Sequence, residues 1–274
     1  MKYTCGLQSL LIIAATCTGA TAQQENWDTY MARYGSKPGS VLVDMALAAK
    51  APDKLLPFLV VVGPKARECY NPQGIPDTSE INTLENILNV TGSFLSGATA
   101  KKLAGTFTYN CERLNYYYVR DTTAVRSAIT RIYAAHYPQY NYTLKIKHDP
   151  LWITYRTFLY PDSAATEWMA TDKALLTLLQ AGDNLTLPRP ITHNLLFTSD
   201  TGRASFALYA SQHRYTITST KNANTTSLPY EIKVTRHEKP VMDSLMSMKS
   251  ELTLAAKKYR GYYEGWDATL PPQK

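Results

Sequence analysis

The sequence predicts an α+β protein built from two antiparallel-sheet domains, each with its helices packed on one face. Three observations carry this prediction. The chain has 274 residues, more than the roughly 150 expected of one domain. Short apolar strands and amphipathic helices follow one another in the order β-α-β-β-α-β, and that order occurs twice. Pro161-Asp162 punctuates the chain between the two occurrences. The order is the ferredoxin-like one.

In the first half, Val41–Leu47 and Phe58–Val62 read as strands, being short, apolar and bounded by Gly, Pro and Asp. Pro76-Asp77-Thr78 opens a helix on which Ile81, Leu84, Leu88 and Phe94-Leu95 recur near helical spacing. Lys102–Tyr109 and Leu114–Arg120 flank Asn110–Arg113, a hairpin signal. A second helix over Thr123–His136 places Val125, Ile129, Ile132 and Tyr133 on one side. Tyr142–Lys147 alternates as a strand, and Leu151–Leu159 is expected to be another. The first half therefore has the core order with extra strands at both ends.

In the second half, Asp162 is the expected N-cap of a helix that runs to about Gln180 and stops at Gly182. Strand His193–Thr198, helix Asp200–Gln212 and strand Tyr215–Thr220 follow. After an Asn/Thr-rich loop come strand Glu231–His237, helix Val241–Tyr259 and strand Tyr262–Thr269. The expected division is a leader over 1–22, one domain over 23–161 and another over 162–274, the last beginning with a linking helix.

Composition sets bounds. With 45% hydrophobic and 19% charged residues the chain can bury a core, which excludes a disordered protein. Thirteen Gly and 15 Pro exclude collagen-like sequence. Tyr is the unusual residue, at 20 against six Phe and four Trp. The net charge is +7, mildly basic.

Met1-Lys2, the apolar run Gly6–Ala15 and the small residues Ala20 and Ala22 have the layout of a secretory signal peptide, cut after Ala22. The apolar run is too short to span a bilayer. A lipoprotein leader ending at Cys17 competes, but Thr16 and Ala14 depart from its pattern. The expected location is periplasmic or extracellular. Loss of the leader leaves Cys69 and Cys111 in a compartment where thiols pair. In the expected topology, the end of the first core strand and the hairpin lie at one end of neighbouring strands. A Cys69–Cys111 disulfide is the expectation.

Three stretches carry a resemblance: Leu178–Arg189 (LLQAGDNLTLPR), Ile191–Phe197 (ITHNLLF) and Tyr259–Leu270 (YRGYYEGWDATL). In order, they resemble the family of the bacterial regulator of ribonuclease E activity B, RraB, a small ferredoxin-like protein. The motif positions are Asp183 after Gly182, Arg189, His193 in the first strand, and Trp266 in the closing Tyr263-Glu264-Gly265-Trp266. The first half resembles the domain-of-unknown-function family 695. That likeness rests on Trp27-x-x-Tyr30, Gly74-Ile75-Pro76, Leu103-Ala104-Gly105, Tyr116-Tyr117-Tyr118 and His148-Asp149-Pro150-Leu151-Trp152, with Asp149 and Trp152 as motif positions. Neither resemblance brings a catalytic residue. The RraB likeness implies a fold that binds other proteins. The family's characterised member binds and inhibits a cytoplasmic ribonuclease and is strongly acidic. Here Asp162–Lys274 carries 13 basic against 11 acidic residues, and the leader points outside the cytoplasm.

The sequence lacks the phosphate-binding G-x-x-x-x-G-K-[ST], the dinucleotide-binding G-x-G-x-x-G, the zinc motif H-E-x-x-H and the nucleophile elbow G-x-S-x-G. No metal or cofactor is expected. His148-Asp149 could pair an imidazole with a carboxylate for general-base work, but adjacent strand residues point to opposite faces. Tyr116–Tyr118 on a strand would suit base stacking, yet the RNA-binding strand signature is absent and the basic residues are dispersed. No nucleic-acid partner and no membrane span are expected.

The expectation is an exported, non-catalytic binding or regulatory protein whose partner is another envelope protein or a glycan, with Tyr residues suited to the contact surface. The competing expectation is an envelope hydrolase using a cleft around His193 or His148. A cleft that gathers His with Asp or Glu would favour the enzyme.

Overall fold

A computed structural model describes residues 25–69, 71–222 and 227–268. The leader expected over 1–22 and the end of the last expected strand at Thr269 lie outside them. The first domain comprises β1 (Trp27–Tyr34), β2 (Lys37–Asp44), β3 (Phe58–Pro64), α1 (Thr78–Ala98), β4 (Lys101–Tyr109), β5 (Glu112–Val119), α2 (Val125–His136) and β6 (Tyr142–His148). Helix α3 (Ser163–Gln180) leads into β7 (Arg189–Phe197), α4 (Asp200–Gln212), β8 (Thr216–Asn222), β9 (Tyr230–Glu238), α5 (Met242–Lys258) and β10 (Gly261–Ala268).

Both sheets are antiparallel throughout, with strand orders β1-β2-β4-β5-β3-β6 and β10-β7-β9-β8. Within each, the four core strands have the ferredoxin-like arrangement, with the first and third strands in the centre. The protein is α+β with two ferredoxin-like sheets. The additional strands of the first domain are not at both ends. They form one hairpin, β1–β2, docked on β4. The expected strand over Leu151–Leu159 is instead a turn followed by one turn of π-helix at Tyr155–Leu159. Its β-branched and aromatic residues favour a strand locally, but Asp149 and a left-handed Trp152 (φ 53°) divert the backbone.

The first sheet is buried on both faces, which explains the unbroken apolar run Leu59–Val62. Val60, Val62, Tyr117 and Val119 pack against α1 and α2 through Ile87, Leu95, Val125, Ile129 and Ile132. Leu59, Val61, Tyr116 and Tyr118 point the other way, into a core closed by Trp152, Tyr155, Leu159 and Met169. In the second domain, Ile191, Leu195, Phe197, Ile232 and Val234 pack against α4 and α5 through Phe206, Ala210, Leu245, Met248 and Leu252.

Part of the Tyr excess is interior. Tyr30, Tyr116, Tyr117, Tyr118, Tyr133, Tyr155, Tyr215 and Tyr263 are all buried. The remaining described tyrosines are half-buried or, like Tyr262, exposed. Between β4 and β5, Asn110 and Cys111 both adopt left-handed backbone (φ 49° and 67°), as a two-residue hairpin turn demands. Cys111 is disulfide-bonded to Cys69, with Cα atoms 5.8 Å apart. Among the described residues no helix is long and apolar enough to cross a membrane.

Candidate binding groove at the edge of the second sheet

The motif residues of the first half form a knot inside its core. Asp149 follows β6 and is buried. Its carboxylate accepts hydrogen bonds from the Tyr118 hydroxyl (2.9 Å), the Ile153 N–H (2.9 Å) and the Thr154 N–H (3.0 Å). Desolvation pulls its pKa upward, but the hydrogen bonds from Thr154, Tyr118 and Ile153 outweigh it and hold the carboxyl below its usual range. Trp152 stacks on Tyr118 with ring centroids 3.9 Å apart and donates from Nε1 to the Leu56 carbonyl at 3.0 Å. His148 is exposed beside Phe58, while Asp149 points inward, so the two do not form an acid–base pair.

Three motif residues of the second half are also interior. Asp183 and Arg189 close the α3–β7 loop with a buried two-pronged ion pair, in which Arg189 Nη1 lies 2.6 Å from Asp183 Oδ1 and Nη2 bonds Oδ2. His193 is fully buried on the helix-facing side of β7, its Nδ1 hydrogen-bonded to the Tyr263 hydroxyl at 2.9 Å. Its Nε2 has no partner. Burial, and then the nearby Arg236 charge, push the imidazole down to about 4, so it is neutral at physiological pH.

Trp266 differs from these. Together with Tyr262 and Tyr263 on β10, it lines a groove of about 530 Å³. One wall is the α3 face Glu167, Ala170, Thr171 and Ala174, and α5 contributes Lys249, Thr253 and Lys257. Spacings of three and four residues place each set on one side of its helix. Lys249 pairs with Glu167 at 3.4 Å. Lys257 has no ion-pair partner among the described residues. Tyr262 is 59% exposed, and β10 is the edge of its sheet. Glu264 lines it too, so among the described residues the groove offers a strand edge, aromatic surface and both a cation and a carboxylate to an incoming chain. Sequence reasoning located Trp266 but missed Lys257, Thr253 and Tyr262. The Lys249-Thr253-Lys257 stripe was present in the sequence, but which element it would face was not.

A second cleft, of about 460 Å³, is lined by His213, Arg214, Arg236, Glu238 and Glu251. Its carboxylates are already engaged, since Arg236 contacts Glu251 at 3.2 Å and Glu238 at 3.6 Å, and Tyr215 donates to Glu251 at 3.2 Å. The His213 Nδ1 is 2.8 Å from the Tyr209 carbonyl. Among the described residues, no group of three or more His, Cys, Asp or Glu is placed to hold a metal ion.

Comparison with known proteins agrees with the two-part architecture. Residues 25–160 match the family of unknown function DUF695, and residues 168–268 match the family described as regulator of ribonuclease activity B. No curated protein matches the chain. Among solved structures, a chain described as a glycine cleavage system transcriptional repressor matches at 9% identity with a TM-score of 0.23, over 77% of this chain and 98% of that one. So distant a likeness says nothing about this chain's ligands. The chain is thus similar to the DUF695 family over residues 25–160 and to the regulator of ribonuclease activity B family over residues 168–268, in that order.

Proposed function

We propose that this protein is an exported, non-catalytic binding protein that regulates another protein of the cell envelope, and that its RraB-like domain makes the contact through the groove between α3, α5 and β10. The observation that carries this reading is the groove itself, where exposed Tyr262 and half-buried Trp266 of the edge strand β10 stand beside Lys257 and Glu264. It lies in a domain whose family name denotes a regulator. The leader sequence supports cleavage after Ala22 and a partner other than a cytoplasmic ribonuclease.

Photo-crosslinking in intact cells tests the reading, with a benzophenone side chain placed at position 262 and the adduct identified by mass spectrometry. One envelope protein captured from position 262, and not from a control position on exposed α4 such as 208, is the expected result. Capture of no protein, with no retention of the purified chain on cell-wall glycan, would overturn it. The hydrolase reading is favoured by one observation, the grouping of His213 with Glu238 and Glu251. Arg236 and Tyr215 occupy those carboxylates, leaving neither free to act as a base.

A further inference from the structure

In the first domain, α1 and α2 pack side by side on the sheet, and a groove of about 340 Å³ runs between them. Phe94, Gly97 and Ala98 line it from α1, and Ala128, Ile132 and Ala135 from α2. Its α2 wall begins at Ala124 and ends at His136, a run of about 18 Å at helical rise. At the His136 end the two walls meet, with the ring centroids of His136 and Phe94 5.9 Å apart. Concave, mostly apolar sites of about 300–1,000 Å³ with a few polar groups are the usual form of a small-molecule site.

Two lining residues have no role within the fold. Gly97 stands in the last turn of α1, where glycine weakens a helix. Its backbone is not left-handed, and a Cβ there would meet no atom within 4 Å. Neither a turn nor packing calls for glycine, and the missing side chain keeps the groove open. Arg131 is exposed and has no ion-pair partner among the described residues. The charge around the groove also has one sign. Arg131 and His136 line it, and no Asp or Glu does. Helix α2 contains Arg126 and Arg131 and no acidic residue. The acidic residues of α1 lie in its first half, where Glu80 accepts from the Arg67 N–H and Glu85 pairs with Arg113. Asp121, ahead of α2, accepts from Thr123 and lies outside the lining.

We infer that this groove binds a medium-chain fatty acid, with its carboxylate on Arg131 and its alkyl chain running toward Gly97 and Ala124. A guanidinium matches a carboxylate with two parallel hydrogen bonds. The chain covers Phe94, which is 50% exposed and, among the described residues, the only exposed large apolar side chain on either helix. One such side chain is too few for a docked helix, which lays a whole apolar face into its groove. A concave site likewise suits a single chain rather than the surface of a bilayer. The site is separate from the groove of the second domain, and the binding reading above does not depend on it.

The test titrates sodium decanoate into the purified protein by calorimetry, with amide spectra recorded in parallel to locate the site. One decanoate per chain, with shifted amides on α1 and α2, is the expected result. Acetate carries the charge without the chain, and decyltrimethylammonium the chain with the opposite charge. Each should bind at least about tenfold more weakly. Arg131→Gln should weaken decanoate about tenfold and leave decyltrimethylammonium no weaker. Gly97→Leu places its side chain in open space, so the melting curve should hold while decanoate binding is lost. No binding of decanoate, binding that Gly97→Leu leaves unchanged, or equal binding of decyltrimethylammonium would overturn the assignment. So would binding to phosphatidylglycerol vesicles without binding of decanoate, which would make the face a membrane contact.

Discussion

His193 lies at the centre of the second core with one ring nitrogen on Tyr263 and the other unpaired. A proton added there would create a buried charge beside Arg236, which is why the imidazole titrates near 4 when folded. In the unfolded chain it titrates near its ordinary value of about 6.5. Between those values the unfolded state holds the extra proton, so acidification favours unfolding. The contribution is fully present above pH 6.5, falls as pH drops toward 4, and amounts to about 3 kcal/mol. Urea titrations at pH 7 and pH 4.5 should show a larger loss for the native chain than for His193→Gln; equal losses would contradict this assignment. Asp149 makes the complementary case in the first core. Asp149→Ala leaves the Ile153 and Thr154 amides and the Tyr118 hydroxyl without their acceptor. It should cost about 3 kcal/mol in urea unfolding, as buried donors lose partners. A cost below about 1 kcal/mol would mean that water replaces the carboxylate.

At the level of elements, the hairpin β4–β5 is held at its tip from two directions. Cys111 is bonded to Cys69, and its N–H donates to the Gly74 carbonyl at 2.8 Å. Gly74 is itself required there, since its φ is 74° and a Cβ would stand 2.9 Å from the Asn110 Cα. The disulfide closes a loop with a sequence separation of 42. Replacing both cysteines by serine should lower stability by up to about 4 kcal/mol on the chain-entropy account. The check is the shift of the urea midpoint at constant slope; an unchanged midpoint would mean that hydrogen bonds alone hold the tip. The helix α1 depends on another close approach. A Cβ at Gly92 would stand 2.6 Å from the Tyr117 hydroxyl, so Gly92→Ala should cost about 1–3 kcal/mol through overpacking. Tyr117→Phe should recover part of that loss in a double-variant cycle.

Helix α3 joins the two halves of the molecule. Met169 belongs to the core of the first domain and Leu175 to that of the second, and Lys173 pairs with Asp28 on β1. Truncating either core residue should therefore be felt across the join. Met169→Ala is expected to cost about 2–4 kcal/mol and to reduce hydrogen-exchange protection in both sheets. Loss of protection confined to the first sheet would show that the domains unfold independently. From sequence, α3 was legible as a helix because Asp162 caps it, accepting from the Ala165 N–H at 2.8 Å, and Gly182 ends it with φ 81°. Which cores it serves was not legible, because Met169 and Leu175 differ only in what lies opposite them. Strand β1 escaped notice because Trp27–Tyr34 mixes Asp, Arg and apolar residues without clean alternation, and its partner β2 supplies the order.

The sequence by itself determined the two ferredoxin-like repeats, the helix caps, the Cys69–Cys111 pair and both family resemblances. These depend on local patterns, namely period, capping chemistry and the spacing of a few motif residues. Tertiary structure decided the environments. It turned Leu151–Leu159 away from a sheet, buried both rows of the Tyr116–Tyr118 strand, and placed Asp149, Asp183, Arg189 and His193 inside the protein. It also left Trp266 beside a groove. The physical reason is that burial belongs to pairs of surfaces rather than to residues. A tyrosine or aspartate has the same local preferences in a core and at an interface, and only the element packed against it settles which it serves.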